Sequence, residues 1–355
     1  MNASNDQNLF QMPEYEIKSH KKIFSYLSFS ILVYILLVNV LAVVAALLLQ
    51  KVDLQALDLG AFNFLLKPGN FNLLFNAVIQ YLIAFPVLCL VVLKIPAHKP
   101  VPQRTDKSTF IKYMLIGIFI MYVGNIISTN VLTLIELIMG NSTENPVSTM
   151  MESSDWYINL LIVGIIGPIV EELIFRKLLI DRLSPFGDAV AILFPSLIFA
   201  LIHGNFYQLF YAFALGAVFS YIYLKTGKII YSTILHVFIN VFCGVIPSLI
   251  LSMPGFDAIF GLLENPTVNI EVIVNILTEA FLPLVIFMLY ESIMIGMQIA
   301  GLILFIINVR KIRLNKGSVR LPKGRTADII FFNAGSIALI IVCVILIAIN
   351  TIPMA

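Results

Sequence analysis

The chain has 355 residues, 60% of them hydrophobic and only 12% charged, with a formal net charge of +2. Soluble proteins have about 45–50% apolar and about 25% charged residues, so an ordinary cytosolic globule is excluded, as is a disordered chain, which needs low hydrophobicity and high net charge. The near-neutral balance also gives no electrostatic basis for a nucleic-acid partner.

Residues 1–22 are polar and end in Lys18, His20, Lys21 and Lys22, which reads as a tail on the cytoplasmic side. The apolar run 23–50 is too long for a signal-peptide core and lacks a clear cleavage site, so it reads as a retained first span. Further runs follow at 71–95, 109–140, 157–184, 188–204, 206–224, 229–251, 272–309 and 327–352. Several exceed the roughly 18 residues that mark a transmembrane helix, and none has the short alternating segments of a β-barrel. The run 272–309 carries Glu279, Pro283 and Glu291, which predicts a short interfacial piece plus a span, with Pro283 kinking or ending a helix. The fold class is therefore all-α: a polytopic transmembrane helical bundle of eight or nine spans.

Basic residues set the expected orientation. They collect in the N-terminal tail, in 94–112 (Lys94, Lys99, Arg104, Lys107, Lys112), in 177–182, in 225–228 and in 310–325. The alternate loops are acidic instead: 141–156 carries Glu144, Glu152 and Asp155, and 252–270 carries Asp257 and Glu264. The two sets alternate with the N-terminus inside, and nine crossings put residues 351–355 outside. Cys89, Cys243 and Cys343 stand alone in apolar runs, without disulfide or metal spacing, and read as small core hydrophobes.

Ionisable side chains inside spans cost about 2.5–3.5 kcal/mol each on insertion scales and are functional candidates by default. Glu171, Glu172 and Arg176 interrupt one run, His203 closes the next, and His236 and Asn240 lie in a third. Glu172 and Arg176 are four apart on one helix face and can pair, whereas Glu171 is turned away by about 100°. Phe199 and His203 are four apart, as are His236 and Asn240. At the α-helical rise, Glu171 and His203 lie about 20 and 22 Å from the expected inner ends, and His236 and Asn240 about 11 and 17 Å. Helix tilt can absorb such differences, so one site within the membrane is feasible.

A carboxylate away from bulk water becomes a useful base near neutrality. A histidine beside it can help to deprotonate a water, and a second histidine with an amide can donate to an oxyanion. That describes a peptide-bond hydrolase without a covalent nucleophile. The same atoms of Glu171, His203 and His236 could instead hold zinc with an open water position. No HExxH and no GxSxG occurs.

The pattern Glu171-Glu172-x-x-x-Arg176, Phe199-x-x-x-His203, His236-x-x-x-Asn240, in that order on successive apolar helices, resembles the CAAX protease and bacteriocin-processing (CPBP, or Abi) family of intramembrane proteases. The likeness covers roughly 155–250. It implies a helical intramembrane endopeptidase in which Glu171 and His203 activate the water. His236 and Asn240 would bind the oxyanion, while Glu172, Arg176 and Phe199 support them from behind. Family members are described both as metalloproteases and as metal-independent enzymes. Asn240 suits an oxyanion site better than a zinc site, so no cofactor is assigned, with zinc as the open alternative.

The resulting organisation is a tail at 1–22, accessory helices at 23–150, a protease-like core at 151–252, and C-terminal helices at 253–355 that carry the basic loop 310–325. The expected partners are a membrane-associated peptide or protein substrate, the bilayer, and a membrane protein docked on the flanking helices. The expected location is a bacterial cell membrane. Two other functions compete. A non-catalytic scaffold need not retain the four key residues. A proton-coupled transporter would show matched broken helices in two halves, which are absent. Glu136, Glu279 and Glu291 read as surface or interfacial, Gly216 and Ser220 as close helix packing, and Asn141-Ser142-Thr143 as a glycosylation pattern relevant only in a eukaryotic secretory pathway.

Overall fold

The computed structural model describes residues 12–351, apart from 51, 53–55, 103–106, 141, 257, 260–268, 270, 272–273 and 275–277. Arg104, Asn141, Asp257, Glu264, the first eleven residues of the tail and the end 352–355 lie outside the described residues.

Among those residues the chain is helical with no strand. In order, the elements are α1 (Glu14–Leu49), α2 (Pro68–Val92), α3 (Lys107–Met139), α4 (Pro146–Ser153), α5 (Trp156–Phe186), α6 (Asp188–Ile202), α7 (Phe206–Thr226), α8 (Ile229–Leu251), α9 (Phe281–Val309), α10 (Thr326–Phe331) and α11 (Ala334–Thr351). Eight of them, all but α4, α6 and α10, are long and apolar enough to cross a membrane. Apolar residues run around their whole circumference, and Leu82, Leu90, Leu137 and Ile138 are left exposed on the outside. That is the distribution expected of helices in a hydrocarbon solvent.

The loops gather at two opposite ends. At one end Arg325 pairs with Glu14 at 2.8 Å, Lys21 with Asp328 at 2.6 Å and Lys225 with Asp188 at 3.3 Å. There the His98 amide donates to Asp181 and the Asn315 amide to Asp188. At the other end Lys67 pairs with Asp155 at 2.8 Å, Tyr207 donates to the Thr143 carbonyl and Asn350 to the Gly204 carbonyl. The basic segments expected on one side thus share one end of the bundle.

The short helix α6 joins the two ends: Asp188 sits among the basic loops and Gly204 beside Asn350. Its 15 residues span about 22 Å, which makes it the ninth, shorter member of the predicted series. It is also the hub of the core. Phe194 packs against Phe24 of α1, and Phe199 against Phe175 of α5, with ring centroids 5.3 and 5.0 Å apart.

Pro283 lies in the first turn of α9, just past a turn at Ala280 that separates the helical residues Thr278 and Glu279 from that span, which is where a proline is tolerated. Gly216 and Ser220 pack as expected, since a Cβ on Gly216 would lie 3.1 Å from Ser196, and the Ser196 and Ser220 hydroxyls are 3.5 Å apart. The three cysteines are free, Cys343 buried and the other two half-buried.

Candidate active site

The site begins with an irregularity in α5. Its hydrogen bonds widen into π-helical turns over Leu160–Ile166 and Leu173–Ile180, with the α-helical turn Gly167–Glu172 between them. Pro168 has no N–H to return to the preceding turn. In the wide register that bond would reach Val163, five residues back. The Val163 carbonyl instead accepts the Asn240 side-chain amide at 3.0 Å. A proline on one helix thereby anchors an asparagine on another, and the second N–H of that amide stays available.

Glu172 is fully buried, and one of its oxygens serves two partners. Oε1 lies 3.0 Å from Arg176 Nη2 and 3.1 Å from His236 Nδ1. The predicted pair on one helix face therefore forms and also reaches α8. The Arg176 guanidinium is packed among rings, 5.3 Å from Phe199, 5.4 Å from Phe219 and 6.0 Å from Phe175. Phe219 in turn stacks on the His236 imidazole at 4.7 Å. Cation–π contacts of this kind contribute about 2 kcal/mol when desolvated.

Glu171, one step along the helix, turns to the other side. It is half-buried, and its Oε2 lies 3.5 Å from His236 Nε2. His236 thus bridges two carboxylates.

His203 follows the last residue of α6, at a turn closed by Gly204 with φ +65° and by Asn205, which caps α7. Its Nδ1 lies 2.6 Å from the Phe199 carbonyl oxygen. A carbonyl only accepts, so in the neutral ring Nδ1 carries the proton and Nε2 keeps the lone pair. The Phe199 ring meets the imidazole edge-on at 4.9 Å.

These side chains line one cavity of about 330 Å³, which contains Glu171, His203, His236 and Asn240 together. All four residues singled out from the sequence are therefore brought to one place. Among the described residues, no group of three or more His, Cys, Asp or Glu side chains is arranged to hold a metal ion. Glu171 and His236 form a pair without a third ligand, so the residues present do not fit the alternative zinc site. Glu136 accepts from Thr143, Glu279 is exposed and Glu291 half-buried, and none of them lines this cavity.

Sequence reasoning missed two features. Phe219 carries no polar signal, although it packs against both His236 and Arg176. The other feature is the wall contributed by α2, where Asn72, Asn76 and Gln80 line the cavity. Asn72 and Asn76 are exposed and make no hydrogen bond to another described residue. Three amides at helical spacing in an apolar span would have flagged this face. The cavity extends from Glu171 to Gly69, Met150 and Ser153, at the end of the bundle opposite the basic loops.

Residues 153–242 match the Rce1-like family model, described as type II CAAX prenyl endopeptidase Rce1-like. The membrane-embedded CAAX protease MroQ of Staphylococcus aureus is 28% identical over 201 residues, which cover 53% of this chain and 74% of that protein. YdiL of Bacillus subtilis, provisionally assigned as a membrane peptidase, is 29% identical over 105 residues, 29% of this chain and 43% of that protein. The UPF0177 protein YxdF of Lactococcus lactis is 36% identical over 84 residues, 23% of this chain and 46% of that protein. No solved structure matches the chain significantly.

Proposed function

We propose that this multi-pass membrane protein with an Rce1-like domain is an intramembrane endopeptidase that hydrolyses a peptide bond in a membrane-associated peptide or protein. The observation that carries the reading is the single cavity shared by Glu171, His203, His236 and Asn240.

Glu171, aided by Nε2 of His203, takes a proton from a water held between them, and the hydroxide attacks the scissile carbonyl carbon. The oxygen that becomes negative accepts from Nε2–H of His236 and from the free N–H of Asn240. A preorganised oxyanion donor is worth about 3–4 kcal/mol where it has been removed from other hydrolases. Glu171 then returns the proton to the leaving nitrogen as the C–N bond breaks, which gives a carboxylic acid and an amine that exchange the remaining proton on release. No step requires a metal, in keeping with the poor fit of the ligand set.

The amides of α2 hold the substrate. Asn72, Asn76 and Gln80 recur every four residues, about 6 Å along an α-helix. Two residues of extended chain span about 6.7 Å, and each amide can donate to a carbonyl and accept from an N–H. The scissile segment lies extended along α2 and enters from the end that carries Gly69 and Ser153. With the N-terminus cytoplasmic, that end faces outward, and the host membrane is bacterial, as for MroQ and YdiL.

The test is cleavage of candidate membrane peptides, read by mass spectrometry, with the wild type, Glu171→Ala and His203→Ala. Loss of cleavage in both variants is expected. Unchanged cleavage in both would overturn the site, and full biological function in both would favour the scaffold.

A further inference from the structure

A second cavity, of about 450 Å³, lies between α3, α7 and α9 and shares no lining residue with the first. Its walls are apolar: Ile116 and Ile120 from α3, Ala214 and Val218 from α7, and Phe305 from α9. Its mouth is not. Lys112 near the start of α3 and Lys311 just past the end of α9 line it at the end of the bundle that holds the basic loops.

Neither ammonium pairs with a described acidic residue, whereas Lys225 close by is bound to Asp188. Lys112 is half-buried, and a partly desolvated cation without a counter-charge is costly. From Lys112 to Ile120 the groove descends about 12 Å at the helical rise. That is most of one leaflet of a hydrocarbon core about 30 Å thick. An apolar trench of leaflet depth with two unpaired cations at the headgroup level matches an amphiphile of one polarity: apolar chain inward, anion outward.

We propose that this groove is a site for one anionic phospholipid. An acyl chain lies between α3, α7 and α9, and the phosphate rests on Lys112 and Lys311. The site is separate from the hydrolytic cavity and stands whether or not that cavity cleaves peptides. The lipid fills the space between α7 and α9 beside α3 and neutralises charge where the basic loop leaves α9.

Native mass spectrometry tests this on the full chain, delipidated in neutral detergent and titrated with dioleoylphosphatidylglycerol or dioleoylphosphatidylcholine. One phosphatidylglycerol is expected to be retained at least about tenfold more tightly than phosphatidylcholine. Lys112→Gln with Lys311→Gln should weaken phosphatidylglycerol about ten- to thirtyfold and remove the preference. Ala214→Phe, which fills the deep end, should displace it with both lysines intact. Millimolar inorganic phosphate should not compete. Equal retention of the two lipids, retention unchanged by the lysine pair, or retention unchanged by Ala214→Phe would each overturn the site. Displacement by phosphate would reduce it to an anion contact without an acyl groove. The lysines lie at the mouth and outside the packed core, so their variant stays informative if Ala214→Phe fails to fold.

Discussion

The Nδ1 of His236 lies 3.1 Å from Oε1 of Glu172, a carboxylate with no exposed surface. The same oxygen is 3.0 Å from Arg176, so one atom orients an imidazole and neutralises a guanidinium. Removing one partner of a buried ion pair costs about 3–5 kcal/mol, whereas replacing both by apolar groups is often neutral. Glu172→Gln should therefore lower the unfolding temperature in detergent and reduce activity. Adding Arg176→Met should recover most of the stability while activity stays low, because His236 has lost its anionic anchor. Wild-type melting of the Glu172→Gln single variant would show that the Glu172 carboxylate does not hold α5 to α8.

His203 is pinned by its own helix. With Nδ1–H given to the Phe199 carbonyl, Nε2 is the lone-pair nitrogen of the neutral ring. His203→Ala should lower kcat by about 10²–10⁴-fold and leave peptide affinity within about twofold. Nitrogen NMR of labelled imidazole should find the proton on Nδ1. The opposite tautomer would remove His203 as a base.

Much of this was legible because charge is scarce. In a chain where most charged groups mark loops, Glu171, Glu172 and Arg176 stand out, and four-residue spacing supplies the pairs that the structure forms. What the sequence could not show is how residues at unequal nominal depths meet. The π-helical turns on either side of Gly167–Glu172, and the Val163 carbonyl that Pro168 leaves without a donor, bring α5 against α8. Hydropathy carries no trace of that register shift. Phe219 was illegible for a different reason: its role comes from where its two faces pack, and composition says nothing of that.

The donor set carries a prediction about metal. Glu171 and His236 stand 3.5 Å apart, and no third described ligand joins them. Chelator treatment of the purified protein should leave peptide cleavage unchanged. Stoichiometric zinc lost together with activity, and restored with it, would refute the metal-free water mechanism.

At the far end, Asp155 ties α2 to α5. Hydrogen bonds from Lys67, Asn70 and Tyr157 hold its carboxyl well below the usual range, at about 2. A pKa lower in the folded than in the unfolded state stabilises the fold above the unfolded value, and the effect is lost as pH falls through the folded one. Asp155→Asn should thus melt earlier than wild type at pH 7, and the gap should close between about pH 4 and pH 2. A gap that persists unchanged at pH 2 would mean the charge on Asp155 is not what binds this end together.

The α2 amides give the sharpest separation of binding from chemistry. Asn72 and Asn76 face the cavity without a described partner, so replacing them with leucine removes no bond that the fold uses. Leucine is also at home in a membrane span, so folding and melting temperature should hold or improve. A substrate chain held by these amides would lose main-chain hydrogen bonds worth about 0.5–1.5 kcal/mol each. Asn72→Leu with Asn76→Leu should therefore raise KM about five- to a hundredfold and change kcat little. Glu171→Ala should do the reverse, abolishing turnover while leaving peptide affinity near wild type. If the amide variant lowered kcat with KM unchanged, these amides would be supplying water to Glu171, and the extended peptide would have to lie elsewhere in the cavity.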